Sequence, residues 1–279
     1  MFCLTVEAAG QPRRCRLLLP EVKILKRRPR LLILLTLAVV GAVTATVLMV
    51  IQANKMETLS PREERDRAAS GAGVPPGQVD CRKAKCIALT FDGNPGEPTD
   101  RLMDLLKKYK APSTFFLEGR GIHQFPAVVR RIAEDGHEIG DHTWTHAVLT
   151  DVSDAQIRDE LRRTARAISG ITGSEPTLMR PPQGRTDDRV SKVAKELGMA
   201  QVLWTVTAKD YATDDTALIT KRVLDGADRD GIVLLHPLHK GTVPAMPAIL
   251  EALGEQGYTF VTVSQLLAPS EAEPGKIYR

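Results

Sequence analysis

Along this 279-residue chain, runs of apolar, β-branched and aromatic positions alternate with segments in which apolar residues recur every three to four positions. The first pattern predicts strands and the second predicts amphipathic helices. CIALTF (86–91) opens the series, followed by a helix carrying Leu102, Met103, Leu105, Leu106 and Tyr109 and capped by Thr99. STFFL (113–117) is a second strand, with a helix near 126–135 behind it, and HEIGDH (137–142) is a third. A longer helix is expected from Ser153, with Gln156 completing a capping box and Gly170 suited to its end. TLMR (177–180), a helix near 187–197, QVLWTV (201–206), IVLLH (232–236), a helix near 244–253 and YTFVTV (258–263) finish the alternation. Seven strand candidates interleaved with helices imply a mostly parallel sheet in a barrel-like α/β domain over residues 80–268, with 269–279 as a C-terminal tail. A doubly wound open sheet is the alternative, but no G-x-G-x-x-G phosphate turn follows the first strand.

The segment before this domain behaves differently. Residues 31–51 contain no charged side chain, and as a helix they would extend about 31 Å, enough to cross a bilayer. A buried core helix and a cleaved signal peptide are the alternatives. A signal's apolar region is shorter, about 7–15 residues, and no A-x-A-like site follows residue 51. Eight basic residues against Glu7 and Glu21 fill positions 1–30. The positive-inside rule then makes 1–30 a cytoplasmic tail, 31–51 a single transmembrane anchor in the cell membrane, and the rest extracytoplasmic. Residues 52–79 lack apolar periodicity and end in Gly and Pro, so they are expected to form a flexible linker.

The composition, 43% hydrophobic and 26% charged, is that of a globular domain. The net charge of +4 arises in the basic tail, since the remainder is slightly acidic. That distribution argues against a nucleic-acid partner. Cys81 and Cys86 fall outside the membrane on this topology and form either a small disulfide staple or two free buried thiols. No C-x-x-C metal pattern is present.

Working groups in parallel α/β folds gather where strands end. Asp92 follows the first strand, His142 and His146 the third, Arg180 the fourth and Asp210 the fifth, while His236 ends the sixth. In HTWTH the four-residue spacing lets both imidazoles face one divalent ion from a helical turn or a tight loop. Each group also has a plainer reading. Asp92 and Asp210 can cap turns, Arg180 can pair at the surface, and the histidines can pack. His123, His137 and His239 are read as surface or packing residues.

LTFDGNPG (89–96), GDHTWTH (140–146), RPPQG (180–184), KDY (209–211) and LLH (234–236) stand in the order that resembles the polysaccharide deacetylase family, carbohydrate esterase family 4. The resemblance covers roughly residues 80–268. It implies a deformed (β/α)7 barrel behind the membrane anchor and a hydrolase that removes acetyl groups from peptidoglycan, a chitin-like glycan or xylan. By the same resemblance, Asp92 is the general base, Arg180 holds it, His236 is the general acid and Asp210 orients His236. His142 and His146 hold the metal, while Gln183, Tyr211 and Leu234 contact substrate, with a backbone N–H near Gln183 at the oxyanion. Zn²⁺ suits the two histidines, and Co²⁺, Ni²⁺ or Mn²⁺ are the other choices.

The pattern departs from the family at four places. Gly93 stands where TFDDGP has its second, metal-binding aspartate, Gln183 replaces an aromatic residue, Tyr211 replaces tryptophan and Asp141 replaces asparagine. Two histidines alone hold a divalent ion weakly. Asp141 or the Asn94 carbonyl is a candidate substitute, and an aspartate at 93 is expected to complete the site. Two readings remain open: an active deacetylase, or a glycan-binding domain that has lost efficient metal chemistry.

Overall fold

The computed structural model describes residues 57–68, 73–75 and 77–279. The expected cytoplasmic tail and transmembrane anchor lie outside these residues. Among the described residues no helix is long and apolar enough to cross a membrane.

The chain begins with a short helix, α1 (Pro61–Arg67), and then enters the sheet through β1 (Lys85–Gly93). After β1 come α2 (Glu97–Lys108), β2 (Thr114–Leu117), α3 (Gly119–Gln124), α4 (Pro126–Glu134) and β3 (Glu138–Asp141). The middle of the chain contributes α5 (Asp154–Thr172), β4 (Leu178–Met179), α6 (Asp188–Glu196), β5 (Ala200–Val202) and β6 (Val206–Thr207). It closes with α7 (Thr216–Gly226), β7 (Gly231–Leu235), α8 (Thr242–Glu255), β8 (Tyr258–Phe260), α9 (Val263–Leu267) and β9 (Ile277–Tyr278).

All the pairings are parallel, in the order β6-β7-β1-β2-β3-β4-β5-β9, with β8 beside the first residues of β1. The expected parallel α/β architecture is present, as an incomplete barrel. The run 201–206, read as one strand, divides at Leu203–Thr205. Its first part pairs with β4 and β9, and its second part pairs with β7 at the other end of the sheet. A continuous stretch of chain therefore bridges the gap that backbone hydrogen bonds leave open.

Strand parity sorts the side chains. On β1, Ile87, Leu89 and Phe91 pack outward with the helices, while Cys86 and Ala88 belong to a separate inner cluster with Phe116, Leu178, Ala200, Val202 and Ile232. The inner rows continue toward the C-terminal strand ends as Thr90 and Asp92 on β1, Glu118 after β2, His142 after β3, Arg180 after β4, and Leu234 and His236 on and after β7. Gly140 on β3 is required by this packing, since a Cβ there would lie 2.5 Å from the Phe116 ring.

Several expectations change in detail. Ser153 and Gln156 do form the capping box of α5, but the helix passes Gly170 and stops at Gly173, in the left-handed conformation at φ 76°. Thr99 lies inside α2, where its hydroxyl accepts from the Gly96 N–H at 3.2 Å. Helix α7 was not foreseen, although Asp215 caps it through the N–H groups of Ala217 and Leu218. Cys81 and Cys86 are joined by a disulfide.

The linker reading of 52–79 fails for its middle. Ser60 and Glu63 form a capping box, and Leu59 bridges to Tyr278. Arg65 is buried, pairs with Asp230 at 2.7 Å and also donates to the Leu266 carbonyl. Apolar periodicity cannot detect a segment docked mainly through charged groups.

The tail reading of 269–279 fails likewise, because β9 joins the sheet and Tyr278 is fully buried, its hydroxyl accepting from the Glu273 N–H. Tyr278→Ala is therefore expected to destabilise the domain by about 3–5 kcal/mol, as for other large buried aromatics. Urea unfolding would check this, and a cost near zero would return residues 269–279 to the status of a tail.

Candidate active site

The inner rows end in a cleft of about 640 Å³, within the size range of small-ligand sites. Asp92, His142, His146, Gln183, Tyr211, Leu234 and His236 line it, together with Glu118, Trp204 and Leu238. Arg180 and Asp210 lie beneath, almost inaccessible to solvent. The fold thus brings together every site residue expected from the sequence. His239, read as a surface or packing residue, also borders the cleft, with its ring 5.6 Å from that of His236.

Arg180 is the buried pivot. Its Nη1 donates to Asp92 Oδ1 at 2.7 Å and to Thr90 Oγ1 at 2.8 Å. Its Nε and Nη2 donate to the carbonyls of Val202 and Leu203 at 2.9 and 3.1 Å, and Phe116 stacks 4.2 Å from the guanidinium. The first carbonyl ends β5 and the second opens the segment that crosses the barrel gap, so one side chain fixes the carboxylate and also satisfies backbone where the ladder stops.

His142 is equally constrained. Its Nδ1 lies 2.8 Å from the Arg180 carbonyl, which can only accept, so Nδ1 carries the proton and Nε2 presents its lone pair. Burial brings its pKa down to about 4, with Asp92 opposing, so the ring is neutral near pH 7. Nε2 lies 3.7 Å from Asp92 Oδ2. The His146 ring is 4.9 Å away, on a tight loop rather than a helix. That loop holds Thr143 at φ 66° and His146 at φ 59°, a conformation costly for residues with a Cβ. Glu160 on α5 holds the loop in this form by accepting from Trp144 N, Thr145 N and the Thr145 hydroxyl at 2.7–2.8 Å.

On the opposite wall, Asp210 Oδ1 meets His236 Nδ1 at 2.8 Å, and Oδ2 accepts from the His236 N–H and the Thr242 hydroxyl. Burial alone would raise the carboxyl, but the His236 and Thr242 contacts bring it below its ordinary value. Burial would lower His236, yet the Asp210 hydrogen bond and charge, with Asp92 adding, raise it above 6.5. Nδ1 being committed to Asp210, Nε2 is left for the cleft.

The substitutes expected for the missing aspartate are engaged elsewhere. Asp141 is fully buried and does not line the cleft, its Oδ1 accepting from Thr143 N at 2.7 Å. Burial lifts it well above the ordinary carboxylate range. Asn94 Nδ2 donates to Glu118 Oε2 at 3.1 Å, and its carbonyl oxygen packs over Gly121. Gly93 itself sits at φ +118°, a region almost reserved for glycine, so an aspartate there would strain the backbone even though space exists. Glu118 is the residue missed in the sequence. It follows a strand, as the other site residues do, and parity alone would have placed it inward. Burial raises its pKa, against the opposing charge of His146.

The two imidazoles suit a divalent ion in chemistry, and His142 also in tautomer. Among the described residues, no three His, Cys, Asp or Glu side chains stand grouped as a metal site.

The family model for polysaccharide deacetylases matches residues 80–202. The peptidoglycan-N-acetylglucosamine deacetylase PgdA of Listeria monocytogenes is 37% identical over 195 residues, covering 70% of this chain and 41% of that protein. A peptidoglycan-N-acetylglucosamine deacetylase of Bacillus cereus is 39% identical over 189 residues, covering 66% of this chain and 88% of its own length. Among solved structures, T48 deacetylase with substrate has a TM-score of 0.69 at 36% identity, over 72% of this chain and 100% of the other. BA3943 from Bacillus anthracis, a pseudoenzyme of carbohydrate esterase family 4, has a TM-score of 0.64 at 30% identity, over 71% of this chain and 70% of its own. A BA3943 mutant with restored enzymatic activity aligns similarly, with a TM-score of 0.63 at 33% identity over 66% of this chain and 68% of that one. This chain belongs to the polysaccharide deacetylase family. It spans only 41% of PgdA, so likeness to that relative concerns one part of a longer protein.

Removing the guanidinium should leave Asp92 buried and unpaired. Arg180→Met is expected to cost about 3–5 kcal/mol in urea unfolding. Gly93→Ala should cost about 1–3 kcal/mol through its backbone angle alone. A neutral Gly93→Ala would show that the strand end relaxes freely.

Proposed function

We propose that this domain hydrolyses acetyl groups, chiefly N-acetyl, on a cell-wall glycan containing N-acetylglucosamine, with peptidoglycan as the leading polymer and a chitin-like glycan as the alternative. The observation that carries the reading is the arrangement of two separately held proton-transfer groups. Asp92 is fixed by Arg180 and His236 is fixed by Asp210, with the paired imidazoles of His142 and His146 in the same cleft.

Asp92 accepts the proton of the attacking water through the oxygen that Arg180 leaves free. Leu234 offers an apolar wall to the acetyl methyl group. A backbone N–H near Gln183 donates to the carbonyl oxygen as it gains charge, and Tyr211 flanks the sugar. His236 donates its Nε2 proton to the leaving amine as the carbon–nitrogen bond breaks, giving acetate and a free amine. Asp210 fixes the tautomer and stabilises the imidazolium. A divalent ion held by His142 and His146, Zn²⁺ first and Co²⁺, Ni²⁺ or Mn²⁺ otherwise, supplies Lewis acidity and a water of lowered pKa when bound.

A second reading, glycan binding without turnover, is favoured by Gly93 and by the absence of three grouped donors among the described residues. Acetate release from acetylated chito-oligosaccharides, measured beside glycan binding and metal content, separates the two. Asp92→Asn and His236→Ala should each lower turnover by about two to four orders of magnitude and weaken binding less. Binding with no acetate release from the parent would establish the second reading.

The pH dependence has a definite sign. His236 must be protonated to act, so its raised pKa extends activity upward in pH, and activity falls as pH rises through that value. Asp210→Asn removes the largest raising contribution. The alkaline limb of kcat/KM should therefore move to lower pH, and an unmoved limb would assign it to another group.

The anchor reading extends this proposal: residues 31–51 span the cell membrane, with the domain outside, beside the wall polymer. Protease added to intact cells should digest the domain. Protection in cells with digestion after lysis would reverse the topology.

A further inference from the structure

The geometry points to a divalent-metal site formed by His142, His146 and Glu118, with the Glu118 carboxylate supplying the third protein ligand that position 93 cannot provide. This inference deepens the functional reading above and rests on it only for what the ion is used for.

Three placements carry it. First, β2 lies between β1 and β3, and the register sets Gly93 opposite Leu117 and Leu117 opposite Asp141. The next step of that register aligns Asn94, Glu118 and His142 at the rim of the cleft, all three of which line it. Second, the space above Gly93 leads to Glu118. A Cβ built at 93 meets one neighbour within 4 Å, Glu118 Oε1 at 3.9 Å. A longer side chain at 93 and the present Glu118 carboxylate would compete for the same volume, so glycine at 93 and glutamate at 118 are complementary. Third, the Nδ1 hydrogen bond of His142 leaves its Nε2 lone pair available, and the centres of the His142 and His146 rings lie 4.9 Å apart.

Two imidazoles and one glutamate make an established donor set for catalytic zinc and leave a position open for water. The carboxylate is at present turned toward the Asn94 amide, 3.1 Å away, and the three donors do not yet converge. To ligate the ion, the Glu118 side chain would have to rotate so that one oxygen turns toward the histidines. The Asn94 amide would then serve the other oxygen, in the role that outer hydrogen bonds play for ligating carboxylates. Asp92 is the competing carboxylate, but Arg180 already holds one of its oxygens.

Zn²⁺ titration calorimetry on the full chain, and the visible spectrum of the Co²⁺ form, test the site without reference to turnover. The parent should bind one ion per chain. Glu118→Gln should weaken binding by about 10–100-fold or more and change the Co²⁺ spectrum, with the metal-free melting temperature unchanged. A crystal structure of the parent grown with Zn²⁺ tests the same point without any variant. It should show a Glu118 oxygen about 2.0–2.2 Å from the ion. Equal affinity in Glu118→Gln, an ion ligated by Asp92 with Glu118 still on Asn94, or no binding by the parent would each overturn the proposal. Metal binding that depends on Glu118 without acetate release would uphold the site and remove the deacetylase reading. Acetate release with binding indifferent to Glu118 would do the reverse.

Discussion

The cleft depends on a buried positive charge. Arg180 sits at the centre of the incomplete barrel, and its guanidinium is shared between Asp92, Thr90 and the carbonyls of Val202 and Leu203. Isolated burial of such a charge would be prohibitive. Here the Asp92 carboxylate pairs with it, and three further oxygens accept from its other N–H groups. The same contacts hold the segment between β5 and β6 across the gap in the sheet. The Arg180 backbone carbonyl in turn fixes the tautomer of His142. One residue therefore orients the candidate base, selects the ligating nitrogen of a histidine and compensates for the break in the barrel.

Around this pivot the remaining site is built by parity. Inner positions on successive strands fill the barrel with small or flat side chains at the bottom, such as Ala88, Ala200 and Phe116, and the next positions up are polar. The polar groups meet because parallel strands all end on one face. Rigidity then comes from outside the barrel. Glu160 pins the strained histidine loop from α5, and Thr242, at the start of α8, braces Asp210. Helices that contribute nothing to the cleft surface thus set the angles of the groups that do.

Much of this was legible in the chain, and the misses have physical causes. The seven strand candidates and the strand-end residues followed from apolar runs and from where polar side chains interrupt them. Helix α1 was illegible because Arg65 and Glu64 are buried through ion pairing and hydrogen bonds, which leave no apolar period. Strand β9 is two residues long, below the length at which alternation can be seen. The division of 201–206 depends on partners at opposite ends of the sheet, which local sequence does not encode. Glu118 was overlooked because it ends a run of four buried strand residues and precedes a glycine that reads as a simple turn. That glycine instead makes room for the Trp144 ring, which a Cβ at 119 would meet at 2.2 Å. The resemblance supplied roles for the residues that match the family pattern and none for a residue that lies outside it.

The angle at Gly93 also bears on how such a site can change over time. A backbone at φ +118° admits essentially one amino acid, so position 93 cannot be altered independently of the path its strand takes. A single codon change to aspartate would meet a strained peptide and a neighbouring carboxylate together. With Glu118 as a ligand, either change alone would pass through an intermediate with too few ligands or too many negative charges. The pair 93 and 118 is thus expected to vary jointly among close relatives, and a substitution harmless in one background would be damaging in another.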